Sequence, residues 1–449
     1  MCESRNKKDG RQKIFLVGIG MGTAEGLTGQ ANEAVRRCQC LIGAKRMLQT
    51  VREMLGEDLP CREPGTDLDS ENSGGRNSKV FFEAHLAEDI FSYIQAHREW
   101  RCIGVVFSGD TGFYSGAKKL EQLLSEASGQ YDMEVIPGIC SVSYLAARLQ
   151  TTWEDASTVS LHGREENFIQ TVSRSRKTFL LLGGKDAGSR MLRKLREYGL
   201  DDVTVSVGSR LSCSNEKIIS GRPAELREED VEGLCTALIE NPRPENQVEP
   251  HIRDDAFIRG KVPMTKEEVR AVSLARLDLT GDAVVYDVGA GTGSVSVEAA
   301  RCSDRIRVYA VEKNPQALEL LEQNRRKFYA DGIRIIEGQA PEALSDLEPP
   351  THVFIGGSGG RLKEILKAVT GKNPEVHIVI NAISMETIKE VMDAAQEGLL
   401  PDMEITQLCV SRARELGGYH MMTGLNPVYI ISAGGKEQET DSDQDRGGI

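Results

Sequence analysis

Short apolar runs alternate with amphipathic helical patterns along most of the chain, and this alternation is found in both halves. In the first half the pattern predicts strands at 13–17, 103–107, 133–136, 158–161, 178–182 and 203–207. In the second half it predicts strands near positions 284, 308, 333, 353, 377, 405 and 428, with helices between them up to the final pair. Strands that alternate with helices are typical of α/β domains with largely parallel sheets.

A polar, proline-containing stretch at 241–250 interrupts this pattern. Proline disfavours both helix interiors and central strands, so the stretch predicts a boundary between domains. We place a first domain at 12–237, a linker at 238–253 and a second domain at 254–434. The remaining residues, 435–449, are polar and acidic and are predicted to be disordered. A chain of 449 residues is long enough for two domains with separate cores.

The most specific motif follows the strand predicted near 284 and reads Asp287-Val-Gly289-Ala-Gly291-Thr-Gly293. Its glycines let the backbone approach a ligand, and the helix that begins at Ser294 directs free N–H groups toward an anionic group. Glu312 ends the next strand, where a carboxylate can accept hydrogen bonds from both hydroxyls of a ribose. A dinucleotide fingerprint would place its third glycine at 294. The spacing instead resembles motif I of Rossmann-like methyltransferases, which favours S-adenosyl-L-methionine (SAM) over NAD.

Glycine-containing turns also follow strands of the first half, at 17–22, 108–114, 136–141 and 181–185. Ligands of open α/β sheets bind beyond the carboxyl ends of the strands, so these loops can converge on one cleft. Together they resemble the tetrapyrrole methylase family, which binds SAM at the junction of two α/β lobes. The resemblance implies a SAM cleft that contains Met21, Gly109, Asp110, Phe113, Cys140, Ser141 and Leu182.

The second half is similar to the C15-methylating, decarboxylating enzymes of cobalamin biosynthesis, through motifs at 254–259, 265–270, 337–343, 354–360 and 411–414. At two positions where aspartate is common in that family, this chain has Glu312 and Gln339. The glycines of the 356–360 loop would leave room for the edge of a large, flat substrate. The resemblance implies a cofactor site formed by Thr265, Asp287, Gly289, Gly291, Gly293, Glu312, Gln339, Ala340 and Gly356.

The two halves together resemble the decarboxylating C5,15-methyltransferase family of cobalamin biosynthesis. The implied fold is α/β, with an N-terminal two-lobed tetrapyrrole methylase fold and a C-terminal Rossmann-like seven-stranded SAM-dependent methyltransferase fold. The implied substrate is a precorrin-6-type or cobalt-precorrin-6-type tetrapyrrole, with one SAM site in each domain. Because such a substrate carries many carboxylates, arginine is expected near it. The candidates are Arg412 and Arg414 in the second domain and Arg164, Lys185 and Arg210 in the first.

The composition restricts the possible partners, location and metal content of the protein. The 55 basic and 68 acidic residues give a net charge of −13, which disfavours a nucleic-acid partner. There is no long apolar run and no signal-peptide pattern at the amino terminus, so we expect a cytoplasmic protein that does not enter a membrane. The ten cysteines form no paired C-x-x-C elements, and no metal site is predicted.

Three other interpretations stay open at this point. The domains could methylate another acceptor such as RNA or protein, because both folds host varied substrates. The chain could be a SAM or corrinoid sensor without catalytic activity. An oxidoreductase that binds NAD at Gly289 is disfavoured by the glycine spacing. We also expect a homo-oligomer, although nothing in the sequence sets the number of subunits.

Overall fold

The structure is a computed structural model, which describes residues 11–56, 79–127, 129–161, 167–184, 186–246 and 250–435. The predicted tail from residue 436 onward lies outside the described residues, as do Arg164 and Lys185. The chain separates into two compact units. The first comprises the described parts of Met1–Arg164, Lys177–Leu192 and Val203–Glu240, and the second those of Glu165–Arg176, Arg193–Asp202 and Asn241–Ile449.

The first sheet of the first unit is five-stranded and parallel, in the order β3-β2-β4-β1-β5. The inner strands β1, β2 and β4 are nearly continuous buried runs, because both faces of the sheet are covered there, whereas the edge strand β5 is partly exposed. The strands are β1 (Gln12–Gly18), β2 (Cys40–Gly43), β3 (Val80–Glu83), β4 (Cys102–Phe107) and β5 (Tyr131–Ile136). The helices that accompany them are α1 (Gly29–Arg37), α2 (Lys45–Leu55), α3 (Ala87–Ala96) and α4 (Ala117–Glu126).

The second sheet of this unit is also five-stranded, in the order β6-β7-β10-β8-β9, and only β6 and β7 pair in parallel. Its strands are β6 (Ser157–Leu161), β7 (Lys177–Leu182), β8 (Thr204–Ser209), β9 (Lys217–Gly221) and β10 (Cys235–Glu240). The helices in this part of the chain are α5 (Ser141–Arg148), α6 (Ile169–Arg174) and α7 (Ala187–Glu197). Since β10 pairs with β7 and β8 as far as Glu240, the first three residues of the predicted linker are part of a strand.

The second unit is built on a seven-stranded sheet in the order β13-β12-β11-β14-β15-β19-β16. The first five of these are parallel, while β19 runs antiparallel to both of its neighbours. The strands are β11 (Val284–Val288), β12 (Arg307–Glu312), β13 (Ile333–Glu337), β14 (His352–Ile355), β15 (His377–Ala382), β16 (Glu404–Leu408) and β19 (Val428–Ala433). A separate hairpin is formed by β17 (Ser411–Leu416) and β18 (Tyr419–Gly424). The predicted α/β class and the predicted seven-stranded sheet are confirmed.

Helices cover this sheet and bury a core on each of its faces. The helices are α8 (Glu267–Leu277), α9 (Ser294–Cys302), α10 (Pro315–Lys327), α11 (Leu362–Lys372) and α12 (Met385–Gln396). Successive residues of β11 enter opposite cores, with Val285 on one side and Val284 and Tyr286 on the other. Burial on both faces fixes the strand register, so the carboxyl ends of β11, β12 and β14 lie at one edge. In the described part of the chain, no helix has the length and apolar character required to cross a bilayer.

Candidate functional site

A cavity of about 670 Å³ lies at the carboxyl ends of β11, β12 and β14. Its size falls within the range of about 300–1,000 Å³ typical of small-molecule sites. Loops after these strands and the segment before α8 form its walls. Most of the cofactor residues predicted for the second domain line it, namely Thr265, Gly289, Gly291, Glu312, Gln339, Ala340 and Gly356. Their contact with SAM stays a prediction.

Two glycines of the first loop are required by the backbone itself. Gly289 has a φ of +77°, and a Cβ on it would lie 3.0 Å from the backbone N and O of Gly357. Gly293 also has a φ of +77°, and a Cβ there would overlap the side chain of Leu321 on α10. Gly293 is not among the residues that line the cavity, and its predicted part in the cofactor site stays a prediction. It is needed to turn the chain into α9 against α10.

Glu312 holds the glycine loop from the end of β12. Its Oε2 accepts a hydrogen bond from the Gly291 N–H at 2.9 Å, and its Oε1 accepts from the N–H groups of Lys313 and Asn314 at 2.8 Å each. A carboxylate offers about four lone-pair sites, two on each oxygen. One site on Oε2 is therefore left for a ligand. By this count Glu312 can accept a hydrogen bond from one ribose hydroxyl, whereas the sequence led us to expect bonds from both.

Asp287 lies beneath the loop and does not line the cavity, and its predicted part in the cofactor site stays a prediction. The side chain is buried and accepts a hydrogen bond from the Ser296 hydroxyl on α9. Burial raises the pKa of Asp287 to about 6. The hydrogen bonds from Ser296 lower this pKa, and the negative charge of Glu312 raises it by a smaller amount. Among the described residues its Oδ1 has no hydrogen-bond partner. Asp287 thus ties the motif to α9 and supports the loop from below.

Gln339 and the glycines after β14 form other parts of the wall. The Gln339 Oε1 accepts a long hydrogen bond of 3.4 Å from Lys313 Nζ, so its amide is only weakly held and can reorient toward a ligand. Ala340 follows it, and Gly356 and Gly357 are on the wall formed by the loop after β14. The glycines after β14 present backbone rather than side chains to the cavity. The predicted room for a substrate edge at this loop stays a prediction.

The cavity also contains residues that the sequence reasoning missed. Asn381 at the carboxyl end of β15 lines it and accepts a hydrogen bond from the Ser273 hydroxyl at 3.0 Å. The general rule that ligands bind at strand carboxyl ends could have found Asn381. Lys266, just before α8, is exposed and also lines the cavity. Leu425 and Val410 complete the wall from either end of the β17–β18 hairpin, and no sequence motif marks them.

The structure does not bring the two predicted arginines into the cavity. Arg412 donates two hydrogen bonds to the carboxylate of Glu268, at 2.8 and 2.6 Å, and its guanidinium is 3.5 Å from Asp254 and Glu267. The hydrogen bonds to Glu268 raise the pKa of Arg412 and lower that of Glu268. Its guanidinium is paired with carboxylates of the protein, and its contact with a substrate carboxylate stays a prediction. Arg414 is exposed on the hairpin.

In the first unit, the loops after β1, β4 and β5 meet, as the sequence predicted. Gly20 and Gly109 exchange backbone hydrogen bonds of 3.1 and 2.7 Å. Asp110 accepts hydrogen bonds from the N–H groups of Gly112 at 2.8 Å and Gly138 at 2.9 Å, one on each carboxylate oxygen. Asp110 thereby joins the loop after β4 to the loop after β5. Its predicted contact with a cofactor stays a prediction.

Several other predicted residues of this unit gather near α5. Met21 and Phe113 pack against an apolar cluster that contains Cys140. The Cys140 Sγ caps α5 by accepting from the Ser143 N–H at 3.4 Å, and Ser141 is the first residue of the helix. The cluster also includes Leu181 but not Leu182. Leu182 is fully buried at the end of β7, so only its backbone is suited to contact a ligand.

Two family models match the chain in succession. A model described as tetrapyrrole (corrin/porphyrin) methylases matches residues 13–227. A model described as a precorrin methyltransferase domain matches residues 255–433, which include the whole lining of the cavity.

Relatives match the second unit alone or nearly the whole chain. A probable cobalt-precorrin-6B C(15)-methyltransferase (decarboxylating) from Pyrobaculum calidifontis is 45% identical over 188 residues, which are 41% of this chain and 95% of that protein. A precorrin-6Y C(5,15)-methyltransferase (decarboxylating) from Sinorhizobium sp. is 28% identical over 426 residues, which are 93% of this chain and 95% of that protein. A crystal structure of precorrin-6Y C5,15-methyltransferase from Geobacter metallireducens is 42% identical, covers 41% of this chain and 97% of its own, and gives a TM-score of 0.39. On these identities and coverages, the chain belongs to the precorrin methyltransferase family, with a tetrapyrrole methylase segment before the precorrin methyltransferase segment.

Proposed function

We propose that this protein is a SAM-dependent C-methyltransferase of cobalamin biosynthesis. It methylates C5 and C15 of a precorrin-6-type or cobalt-precorrin-6-type tetrapyrrole and removes the carboxyl group of the ring C acetate. The observation that supports this most is the glycine-walled cavity with Glu312 at its edge, in a chain that aligns over 93% of its length with the C(5,15)-methyltransferase from Sinorhizobium sp.. Cytoplasmic residence and homo-oligomeric assembly, both expected from the sequence, belong to the same proposal.

In the second unit, one SAM is held by the cavity described above. Bound SAM supplies an electrophilic methyl group. Gly289 and Gly291 offer open backbone, the free lone-pair site on Glu312 accepts a ribose hydroxyl, and Gln339 presents an amide that can pair with the adenine. Lys266 at the wall offers a cation for a carboxylate of the substrate. These groups fit the cofactor in charge and in hydrogen-bonding capacity.

The protein needs no nucleophilic side chain for this chemistry, because the acceptor is an electron-rich carbon of the substrate. Its contribution is to align the two reactants, for which well-oriented reactions gain about 7–11 kcal/mol. In the decarboxylating step, the C–C bond to the acetate carboxyl breaks and carbon dioxide leaves. The electron pair of that bond passes into the conjugated macrocycle of the substrate.

In the first unit, we propose a second SAM site at the meeting point of the three loops. Asp110 and Gly109 hold the loop geometry, while Met21, Phe113 and Cys140 supply apolar surface. Ser141 at the start of α5 and the backbone of Leu182 complete the proposed set.

The test uses the full-length protein, incubated anaerobically with SAM and a precorrin-6-type tetrapyrrole and followed by mass spectrometry. We expect a product with two additional methyl groups that has lost one carbon dioxide. The same assay on a Glu312→Gln variant should give methylation at C5 with a reduced loss of carbon dioxide at limiting SAM. A sensor would bind SAM in calorimetry without turnover, and a protein that leaves the tetrapyrrole unchanged would contradict the proposal.

A further inference from the structure

The segment between β8 and β9 in the first unit, residues 210–216, has an uncommon backbone conformation. Arg210 and Ser212 have φ angles of +50° and +66°, in the left-handed region that residues with a Cβ rarely adopt. Two backbone hydrogen bonds of 3.0 Å close successive turns, from the Cys213 N–H to the Arg210 carbonyl and from the Glu216 N–H to the Cys213 carbonyl. Such left-handed residues persist only where surrounding contacts hold them, and they cluster at functional sites.

The carboxylate of Glu216 holds this segment against α5. Its Oε2 accepts hydrogen bonds from the Tyr144 hydroxyl at 2.8 Å and from the Ser212 N–H at 2.7 Å, and its Oε1 accepts from Arg148 Nε at 2.8 Å. The side chain is only 14% exposed. Burial raises the pKa of Glu216, but the hydrogen bonds from Ser212 and Tyr144 and the charge of Arg148 outweigh burial, and the pKa lies below its ordinary value. The carboxylate is therefore charged at neutral pH, and it ties the segment to two side chains of α5.

The same segment contacts residues of the proposed SAM site in the first unit. The Ser212 hydroxyl donates a hydrogen bond of 3.3 Å to the Met21 carbonyl, in the loop after β1. Leu211 is buried in the apolar cluster that contains Cys140, and Met21 and Phe113 pack against that cluster. The segment follows a strand of the second sheet, whereas Met21 follows a strand of the first. The segment thus joins the two sheets of this unit beside the proposed cofactor residues.

We propose that Glu216 is a positioning residue for SAM binding in the first unit. Its carboxylate holds the left-handed conformation at Ser212, and the Ser212 hydroxyl in turn holds the carbonyl of Met21 in the loop that faces the cofactor. Glu216 acts through Ser212 rather than on SAM directly. This inference rests on the proposed function, because it takes the meeting point of the loops in this unit to be a SAM site.

The main test is Glu216→Ala in the full-length protein, assayed with a precorrin-6-type tetrapyrrole and varied SAM. We expect the KM for SAM in the methylation at C5 to rise about tenfold, because the variant removes all the hydrogen bonds to the carboxylate. The kcat should change little, since a contact that acts on SAM binding is lost equally in the ground and transition states. A purely structural role gives the opposite pattern, because a smaller folded fraction lowers kcat and leaves KM unchanged. The SAM affinity of the second unit, measured by calorimetry, should equal that of the parent.

Two further variants separate the carboxylate from the link to Met21. In Glu216→Gln an amide oxygen in the place of Oε2 can accept from both Tyr144 and Ser212, while Arg148, whose side chain is 56% exposed, can turn to solvent. This variant should therefore keep the KM for SAM within about twofold of the parent. Ser212→Gly removes the hydroxyl that reaches Met21, and glycine suits the φ of +66°. It should raise the KM about fivefold without lowering the free energy of unfolding.

Asp230→Ala is the matched control. Asp230 is 12% exposed and accepts hydrogen bonds from Lys217 Nζ at 2.7 Å and from the Arg227 N–H at 3.3 Å. Among the described residues, it has no hydrogen bond to α5 or to the loop after β1. Its replacement should leave the KM for SAM unchanged.

The outcomes decide between positioning and general support of the fold. An unchanged KM in both Glu216→Ala and Ser212→Gly would overturn the proposal, and so would a loss of kcat alone or an equal rise of KM in Asp230→Ala. If Glu216→Ala did not fold, the KM of Ser212→Gly would decide. A parent protein that adds no methyl group at C5 would overturn the proposed function, whereas an active parent with unaffected variants would overturn only the positioning role.

Discussion

Replacing Glu312 with glutamine tests the cofactor site most sharply, because the carboxylate has both structural and binding roles. Three of its lone-pair sites accept backbone N–H groups, and one on Oε2 is free. A glutamine amide has one oxygen and one NH₂ group. The less costly orientation places the oxygen toward Lys313 and Asn314, which puts the NH₂ group where Oε2 was. Gly291 and the ribose hydroxyl then lose their acceptor together.

The magnitude follows from that lost acceptor. A hydrogen bond to a charged group contributes about 1.5–3 kcal/mol. Losing the bond to the ribose should therefore weaken SAM binding at the second unit by about tenfold to 150-fold. The unpaired N–H of Gly291 adds to this loss by loosening the loop that faces the cofactor. At a SAM concentration ten times the parent's Kd, we therefore expect the occupancy of this site in Glu312→Gln to fall to about half or less, and the decarboxylating reaction to slow in proportion.

The measurement is a calorimetric titration of the full-length protein with SAM, together with the mass-spectrometric assay. Glu337→Gln is the matched control, since Glu337 ends the neighbouring strand in register with Glu312, is exposed and does not line the cavity. The control should bind SAM like the parent. SAM affinity of Glu312→Gln within twofold of the parent at both sites would refute the assignment of the ribose to this carboxylate.

Three further changes test the support of the site. The raised pKa of Asp287, about 6 against an ordinary 3.8, means that the folded state holds its proton more tightly, so stability falls as pH rises between these values. Asp287→Asn should remove up to about 3 kcal/mol of this destabilisation at pH 7. The free energy of unfolding, measured with denaturant at pH 4 and pH 7, should then depend less on pH. Gly293→Ala should lower the free energy of unfolding by about 2–5 kcal/mol in the same assay, from its φ of +77° and its overlap with Leu321. The hydrogen bonds of Arg412 to Glu268 tie the base of the β17–β18 hairpin, next to the cavity wall at Val410, to α8. Arg412→Ala should therefore raise the KM for the tetrapyrrole without changing SAM affinity, and Arg412→Lys should not restore it, because lysine cannot make the bidentate bond. A normal KM in Arg412→Ala would contradict this role of the ion pair.

The sequence predicted the sheet of the second unit well because its central strands are buried on both faces. Such strands are largely apolar runs, β11 and β14 are each followed by glycine, and the order of the strands along the chain limits how they can pair. The hairpin of β17 and β18 was missed because its residues are exposed and mixed in polarity. The pair Gly417 and Gly418 between two strand-like runs was the available signal. β10 was not predicted, and the predicted linker begins inside it at 238, because its pairing with β7 and β8 depends on tertiary contacts rather than on local pattern.

The individual site residues were harder to predict than the site. A motif such as the one from Asp287 to Gly293 contains both residues that line a ligand site and residues that support them. The spacing of the sequence does not distinguish these two groups. The structure separates them by burial. Gly289 and Gly291 line the cavity, whereas Asp287 and Gly293 support it from beneath. Arg412 could not be assigned from sequence, since its carboxylate partners on α8 lie far from it along the chain.

The two hydrogen bonds of Asp110 limit how the first unit can change. One carboxylate anchors the amides of Gly112 and Gly138, which belong to different loops. An insertion in either loop would pull one amide away from the shared anchor and leave it unsatisfied. The lengths of the two loops are thus coupled through a single side chain. Attempts to broaden the range of acceptors in this unit should leave both loops intact and vary segments that are not tethered to Asp110.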